Sequence, residues 1–475
     1  MTFINLNDNI VQPSSRVDVN IKIIFLCLCT DIPLYSFIQV SGIKNKMRFN
    51  SFSAYPSDQK ATKTSETVNL KNLDSCASDE FLYWFSGFTD AEGNFLITLD
   101  RSYIKLRFRI NLHIDDIKVL ETIKSRLNIG RIVSDTDTSC SYIIEDSLGI
   151  ELLCNIFKNF PLHTSKKLDF ESFFEAFLIR KKGKLSESDL NKILLLKNNM
   201  NSKRTVFSYN TSKSQIIINP NWFIGFLEGE GTFGIKTGSS LYFQVAQKTT
   251  SQECLNGIIN YLHDLSNNTQ LPENSKISPL HVTSTTNAKT NVVSIVIANI
   301  DSLYYFLLPL LDNSNMYSRK KIDFELWRMA LLLKIHGYYF SIEGKNLFLD
   351  ISDILNKRYS DKNSLEVETI INDITNRFEL IMEKEPLFDV DLYVPHIENV
   401  RKFSKINKSE NPKVVYIYTE NGLIEGSPFS SFSLAHKALG LKSSSNTCNR
   451  YIDTNRWYKN KYIFSSKPID SASKD

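Results

Sequence analysis

A nine-residue block, Phe85-Ser-Gly-Phe-Thr-Asp-Ala-Glu-Gly93, returns as Phe223-Ile-Gly-Phe-Leu-Glu-Gly-Glu-Gly231. One spacing relates Trp84 to Trp222, Gly87 to Gly225, Glu92 to Glu230, Phe95 to Phe233 and Ile97 to Ile235. A single long-period repeat of this kind predicts two similar domains and not a solenoid. Each block reads as a helix with a defined end. Asn219 is placed to cap the second helix with Pro220 at its first position, and Ser78 or Asp79 to cap the first. Gly93 and Gly231 stop them, Gly231 in the left-handed conformation that glycine adopts without steric cost. Gly87 with Ala91, and Gly225 with Gly229, lie one helical turn apart, so each helix carries a stripe without side-chain bulk. Two such stripes pack backbone to backbone.

That packing gathers the two helix C-termini, and each last turn carries acids: Asp90 and Glu92 in one, Glu228 and Glu230 in the other. The helix dipole disfavours each by about 0.3–1 kcal/mol. Two such ends side by side make a concentrated negative site suited to a divalent cation with hard oxygen ligands.

On these residues the chain resembles the LAGLIDADG homing endonucleases in their single-chain, two-motif form, from about Phe81 to about Tyr359. The resemblance implies an α+β fold: two pseudo-symmetric αββαββα domains forming a saddle-shaped DNA-binding surface. In that family the motif helices form the domain interface, and the acid at the eighth motif position binds the metal used for cleavage. It therefore implies Glu92 and Glu230 as catalytic metal ligands, with Mg²⁺ or Mn²⁺ as cofactor; carboxylates suit these ions better than zinc. Asp90 and Glu228, at the sixth position, match residues that serve helix and interface structure. A second internal match sets Ser165-Lys-Lys-Leu-Asp-Phe170 against Arg319-Lys-Lys-Ile-Asp-Phe324. A family lysine near this position lies by the scissile phosphate, which implies catalytic roles for Lys166 and Lys320.

Downstream of the first motif the pattern alternates. Ile104, Leu106, Phe108, Ile110 and Leu112 fall on one face of a predicted strand; Tyr103, Lys105, Arg107, Arg109, Asn111 and His113 fall on the other. The polar face carries three cations and no acid, and its arginines and asparagine suit phosphates and base edges in a major groove wide enough for a β-ribbon. The matching strand in the second half turns Phe243 and Val245 inward and Tyr242, Gln244 and Lys248 outward, so the first half should supply more of the salt-dependent affinity. Helices are expected over Ile117 to Leu127 and Glu253 to Leu262, and second strand pairs around Tyr142 to Ile144 and Val292 to Ile297.

These elements divide the chain into an N-terminal extension expected to be partly disordered (1–76), a first domain (77–200), a linker (201–218), a second domain (219–360), a helical and polar connector (361–412) and a tail module (413–467). The apolar run Ile23 to Cys29 is too short to span a bilayer, and Asp8, Asp18 and Asp31 do not fit a transit peptide. In the tail, a strand over Val414 to Tyr418 is followed by a turn at Asn421-Gly422. Ser431 or Ser433 caps one short helix, Ser443 or Ser445 a second, and an aromatic strand pair closes the module between Trp457 and Phe464. The tail resembles the nuclease-associated modular domains of homing endonucleases and reads as helix-turn-helix-like. That resemblance implies Asn446, Thr447, Asn449 and Arg450 on a recognition helix.

The net charge of +4 is modest, so nucleic-acid affinity must come from local patches. The 17 Gly and 13 Pro are few, while Phe, Ile, Asn, Lys and Tyr abound, as AT-rich codons give, so an organellar genome, mitochondrial before chloroplast, is the expected source. The 7 cysteines form no C-x-x-C pair, which reads as free thiols in a reducing compartment. Two activities fit: a monomeric, metal-dependent endonuclease that cuts duplex DNA to spread its own intron, or a maturase that binds group I intron RNA. Retention of both acids favours the nuclease over the maturase, and over a DNA-binding repressor that does not cut.

Overall fold

The computed structural model describes residues 77–100, 103–207, 215–236, 239–269, 279–357, 364–387 and 414–469. The N-terminal extension, part of the linker, and the polar run Lys402 to Lys413 lie outside the described residues.

The first repeat forms α1 (Asp79–Glu92), β1 (Gly93–Asp100), β2 (Tyr103–His113), α2 (Ile117–Leu127), β3 (Arg131–Thr136), β4 (Ser139–Ile144), α3 (Ser147–Asn159), α4 (Lys166–Lys181) and α5 (Glu187–Asn198). The second forms α6 (Pro220–Glu230), β5 (Gly231–Ile235), β6 (Leu241–Lys248), α7 (Gln252–Asn268), β7 (Thr283–Asn287) and β8 (Val292–Ile297). It continues through α8 (Ile300–Ser302), a π-helical turn, α9 (Leu308–Asp312), α10 (Lys320–Ile335) and α11 (Ile342–Ile354). The antiparallel sheets have the same order, β1-β2-β4-β3 and β5-β6-β8-β7. Ile104, Leu106, Phe108 and Ile110 are buried against helices, as the alternation requires, and so are Leu241, Phe243 and Val245 in the second sheet. Both domains share one continuous apolar core.

Helices α1 and α6 join the domains. Ser78 caps α1 by accepting from the Phe81 N–H at 3.3 Å, and Asn219 caps α6 by accepting from the Asn221 N–H at 2.8 Å. Their small-residue stripes meet: a Cβ on Gly87 would lie 1.9 Å from the Trp222 carbonyl oxygen, and one on Gly225 would lie 1.9 Å from that of Trp84. Only hydrogen at both positions allows backbones this close.

The glycines that end these helices depart from expectation. Gly231 is extended (φ −76°) and not left-handed, and Gly93 is likewise extended (φ −72°), because the chain passes straight from helix into β5 and β1. Glycine is required there by space: a Cβ on Gly231 would stand 2.5 Å from the Leu227 carbonyl oxygen, and one on Gly93 would stand 2.5 Å from Thr89 Cγ2.

The second repeated block, with its Lys-Lys-x-Asp-Phe core, also has a structural reason. Asp169 Oδ1 accepts from the Asn201 N–H at 3.0 Å, and Asn201 Nδ2 donates to the Phe95 carbonyl at 2.9 Å. In the second domain Asp323 accepts from Asn356 at 3.0 Å, and Asn356 donates to the Phe233 carbonyl at 2.6 Å. Both asparagines have left-handed backbones (φ 53° and 60°), which Asn tolerates better than most residues.

Beyond the repeats lie α12 (Ser364–Met382) and a small module with its own core of Val415, Ile417, Ala435, Cys448 and Phe464. The module contains β9 (Tyr416–Thr419), β10 (Gly422–Leu423), α13 (Phe432–Ala438), α14 (Thr447–Tyr451) and β11 (Ile463–Ser465), with sheet order β10-β9-β11. Ser431 caps α13, whereas α14 begins after Asn446 with no side-chain cap. The aromatic closing pair shrinks to a bridge between Tyr458 and Tyr462, and β11 pairs with β9. Cys140, Cys154, Cys254 and Cys448 are buried free thiols. Among the described residues, no helix is long and apolar enough to cross a membrane.

Replacing Gly225 by Ala should destabilise the fold by about 3 kcal/mol or more, at the upper end of overpacking costs. Chemical denaturation checks this; a midpoint within error of wild type would mean that the helices separate at little cost.

Candidate functional site

The crossing of α1 and α6 sets the site. Trp84 Nε1 donates across it to Glu228 Oε1 at 2.6 Å, and Trp222 Nε1 donates to Asp90 Oδ2 at 3.0 Å. Each acid also holds the backbone of the segment that leads into α4 or α10 of its own domain. Asp90 accepts from the His163 and Thr164 N–H groups at 2.6 and 3.0 Å, and Glu228 accepts from the Tyr317 and Ser318 N–H groups at 3.0 and 2.5 Å. Burial pushes both carboxyls up, and these donors act against it. Since every group facing Asp90 is a donor, the site is built for carboxylate. Both acids are thus committed to the interface.

Glu92 and Glu230 end their helices on the same side of the crossing. The Glu92 carboxylate lies against Gly229, where a Cβ would stand 3.1 Å from Oε1. Burial, and then the like charge of Glu92, hold the Glu230 carboxyl up at about 7, while Gln247 Nε2 donates to it at 2.6 Å. A carboxyl raised by burial and by a neighbouring acid fits a cation that would relieve the repulsion. Among the described residues no group of three or more His, Cys, Asp and Glu side chains converges, and at this point of the site the described residues offer a pair of carboxylates. An oxygen-ligated ion that keeps waters and substrate phosphates in its shell matches such an incomplete set.

The lysines differ. Lys166 turns its ammonium onto the end of α1, donating to the Ala91 carbonyl at 2.5 Å and the Thr89 carbonyl at 3.3 Å. Lys320 lines a cleft of 450 Å³ with Glu92, Leu112, His113, Asp116 and Arg319. Burial lowers the proton affinity of both.

The outward faces of the sheets hold the remaining residues expected to touch DNA. Lys105, Arg107, Arg109, Asn111 and His113 share one face, but acids from neighbouring strands complete it, which alternation within β2 could not reveal. Arg107 pairs with Glu145 at 2.8 Å and Arg109 with Asp135 at 2.9 Å; Lys105 and Arg131 also reach Glu145. Asn111 Nδ2 donates to Asp135 Oδ2 at 2.9 Å, and His113 lies 3.2 Å from Asp115. Hydrogen bonds from Arg107 and Arg131 hold the Glu145 carboxyl down at about 2. On the second sheet Tyr242 and Gln244 are half-buried and Lys248 is exposed, with Gln244 donating to Ser294 at 3.4 Å.

The LAGLIDADG endonuclease family model matches residues 85–177 and 223–331, one segment for each repeat. The two-domain unit belongs to the LAGLIDADG endonuclease family. The chain is 26% identical over 428 residues to the uncharacterized mitochondrial protein RF1 of Saccharomyces cerevisiae, covering 87% of this chain and 86% of that protein. It is 26% identical to the probable intron-encoded endonuclease Cox1-I1b of Schizosaccharomyces pombe, covering 53% of this chain and 64% of that protein. The fold is similar to that of the LAGLIDADG homing endonuclease I-GzeII in complex with its DNA target, with a TM-score of 0.50 and 22% identity over 59% of this chain and 99% of that one. The LAGLIDADG meganuclease I-CpaMI bound to uncleaved DNA matches with a TM-score of 0.50 and 22% identity, over 58% and 99%.

Outside the LAGLIDADG domains, Asn446 and Asn449 are exposed and hydrogen-bonded to one another, and Thr447 is bonded to Ser445. Arg450 is turned toward the second LAGLIDADG domain, donating to Ser352 Oγ on α11 at 2.9 Å. Arg456 joins it there, reaching Asp350 at 2.6 Å and Asp353 at 3.2 Å. Sequence reasoning missed Gln247, Glu145 and Asp135. Gln247 was detectable as the strand residue beyond Gln244 that ends beside Glu230; the two acids depend on cross-strand register.

Replacing Glu145 by Gln should release Arg107 and Arg131, tighten binding to mixed-sequence duplex DNA and steepen its salt dependence by about 0.9 per newly engaged phosphate. Fluorescence anisotropy across a salt series measures this, and an unchanged slope would count against a DNA role for this face.

Proposed function

We propose that this chain is a monomeric, site-specific homing endonuclease that hydrolyses phosphodiesters in both strands of a duplex DNA target, encoded by a mitochondrial intron whose spread the cuts promote. The observation that carries this reading is the pairing of Glu92 and Glu230 at the ends of two crossed helices, with a strand face able to contact DNA in each domain. The family membership and the mitochondrial and intron-encoded relatives support it.

Glu92 and Glu230 would hold Mg²⁺ or Mn²⁺, which supplies charge neutralisation at the phosphate and a more acidic bound water. The remaining roles belong to the chain. Lys320 offers positive charge to a phosphate entering the cleft, where charge that develops on oxygen is stabilised most. Gln247 orients Glu230. Lys105, Arg107, Arg109, Asn111 and His113, with Tyr242, Gln244 and Lys248, position the duplex. Asn446, Thr447 and Asn449 extend contact from the tail module, with Arg450 fixing their helix to α11.

Incubation of the protein with Mg²⁺ and a randomised duplex library should recover one cut sequence. Glu92→Gln and Glu230→Gln should each abolish cutting and retain duplex binding. Preference for structured group I intron RNA over every duplex would move the assignment to a maturase. Burial and the charge of Glu92 hold the Glu230 carboxyl up at about 7 when no cation is bound, so proton and cation compete for it, and at limiting Mg²⁺ the affinity for Mg²⁺ should rise as pH rises through that value. An Mg²⁺ affinity that is flat between about pH 6 and about pH 8 would remove Glu230 from the cation site.

A further inference from the structure

The hairpin of β5 and β6 carries groups that the first sheet does not repeat. Gly234 pairs with Tyr242, and both lie on the outward face of the second sheet with Gln244 and, just beyond the strand, Lys236. A Cβ on Gly234 would stand 2.2 Å from Tyr242 Cζ, so the phenol ring lies across that glycine, and the Lys236 ammonium stands 5.6 Å from the ring centre. Lys236 is exposed. Gly93 pairs with Ile110 as Gly231 pairs with Val245, so the equivalent pair in the first sheet is Leu96 with Arg107.

The turn between these strands is gripped from behind. Ser239 donates its N–H to the Lys236 carbonyl at 2.8 Å, and the Lys236 N–H donates to the Ser240 carbonyl at 2.8 Å. Ser239 is left-handed (φ 62°) and only 2% exposed, an uncommon state for a residue other than glycine. Such a backbone persists where its surroundings over-determine it. Two side chains do so here. Lys334, in the last turn of α10, donates from Nζ to the Ser239 carbonyl at 2.6 Å, and Tyr339, in the turn that follows, donates its hydroxyl to Ser239 Oγ at 3.0 Å. The Tyr339 ring meets Phe348 of α11 edge-on at 4.9 Å, and the Lys334 ammonium lies 4.7 and 5.5 Å from the centres of these two rings. Among the described residues no acid pairs with Lys334, and burial pushes its ammonium down to about 8. An apolar side chain would fill this space without burying a charge, so the lysine is explained by the carbonyl it holds. Lys166 opens α4 as Lys320 opens α10, which makes Arg180 the counterpart of Lys334; it donates instead to Ser147 Oγ at 2.8 Å. The grip belongs to the second domain.

We propose that Lys334 and Tyr339 are positioning residues for sequence readout: by fixing Ser239 they hold Lys236 beside Tyr242, and Lys236 reads the acceptor edge of a guanine in the outer part of the second half-site. This rests on the nuclease reading above. Lysine donates to guanine O6 and N7 in the major groove. At about 3.3 Å per residue, Gly234 and Lys236 lie about 13 to 20 Å along β5 from Glu230. For a strand laid along the groove that is base pairs about four to six out from the acids, at about 3.4 Å each. A lysine is a point charge on a flexible stem, and it selects one acceptor over its neighbours only when that stem is held. The fixed turn and the Tyr242 ring hold it. A loosened turn would keep the charge and lose the choice of base.

The test uses the full-length protein, Mg²⁺ and the randomised duplex library, with base preference read at every position of the cut products. The wild type should prefer guanine at one base pair about four to six from the cut, on one side only. Lys236→Ala should remove that preference, and Lys334→Met and Tyr339→Phe should each reduce it about tenfold, with preferences at other positions kept. Tyr339→Phe removes a single hydroxyl, so it decides if Lys334→Met does not fold. A lower thermal midpoint with the preference intact would make the grip structural only and overturn the inference. A preference weakened evenly along the target, the mark of a phosphate contact, would overturn it too, and both results leave the nuclease standing. No cut sequence from the wild type would overturn the nuclease reading itself, and this inference with it.

Discussion

The contact of α1 with α6 is the constraint on which the rest depends. Gly87 and Gly225 each face the other helix's tryptophan carbonyl where no Cβ fits. With the backbones this close, the Trp84 and Trp222 side chains reach past the axis and find Glu228 and Asp90 in the opposite domain. The same acids hold the N–H groups of the segments that lead into α4 and α10. One crossing therefore sets the relation of the domains, the placement of four helices and the point at which Glu92 and Glu230 emerge. Loosening it would move the acids and both lysines together.

Much of this was legible because duplication gives each residue an internal control. The spacing of Gly87 and Gly225 predicted the backbone contact, and the alternation through β2 and β6 predicted which residues turn inward. Two things were out of reach. A single strand's pattern says nothing about its neighbours, so Glu145 and Asp135 stayed hidden until register placed β4 and β3 beside β2. The backbone at Gly231 was misread because a helix that stops and a helix that runs directly into a strand carry the same glycine. The recurring Lys-Lys-x-Asp-Phe was visible as a repeat, yet its aspartate proved to be the anchor for Asn201 and Asn356, residues with different sequence neighbours.

The acids on the first sheet alter how its cations act. Arg107, Arg109 and Arg131 are held by Glu145 and Asp135, which limits their rotamers and weakens their pull on any passing polyanion. If this face meets a duplex as proposed, contact would have to compete with these pairs, so sequences that offer well-placed acceptors would gain more than sequences that offer charge alone. Selectivity of this kind arises from an internal competitor and not from added affinity.

Asp350 on α11 receives Arg377 from α12 at 2.8 Å and Arg456 from the tail module at 2.6 Å. A module held by ion pairs to a neighbouring helix keeps its bearing whatever the length of the chain that connects it. Insertions or deletions in that connecting stretch would then be tolerated during descent, whereas loss of Asp350 would leave Ser352 and Asp353 of α11 to hold Arg450 and Arg456. The reach of the protein along its target would be encoded in a few side chains of α11 and not in a linker.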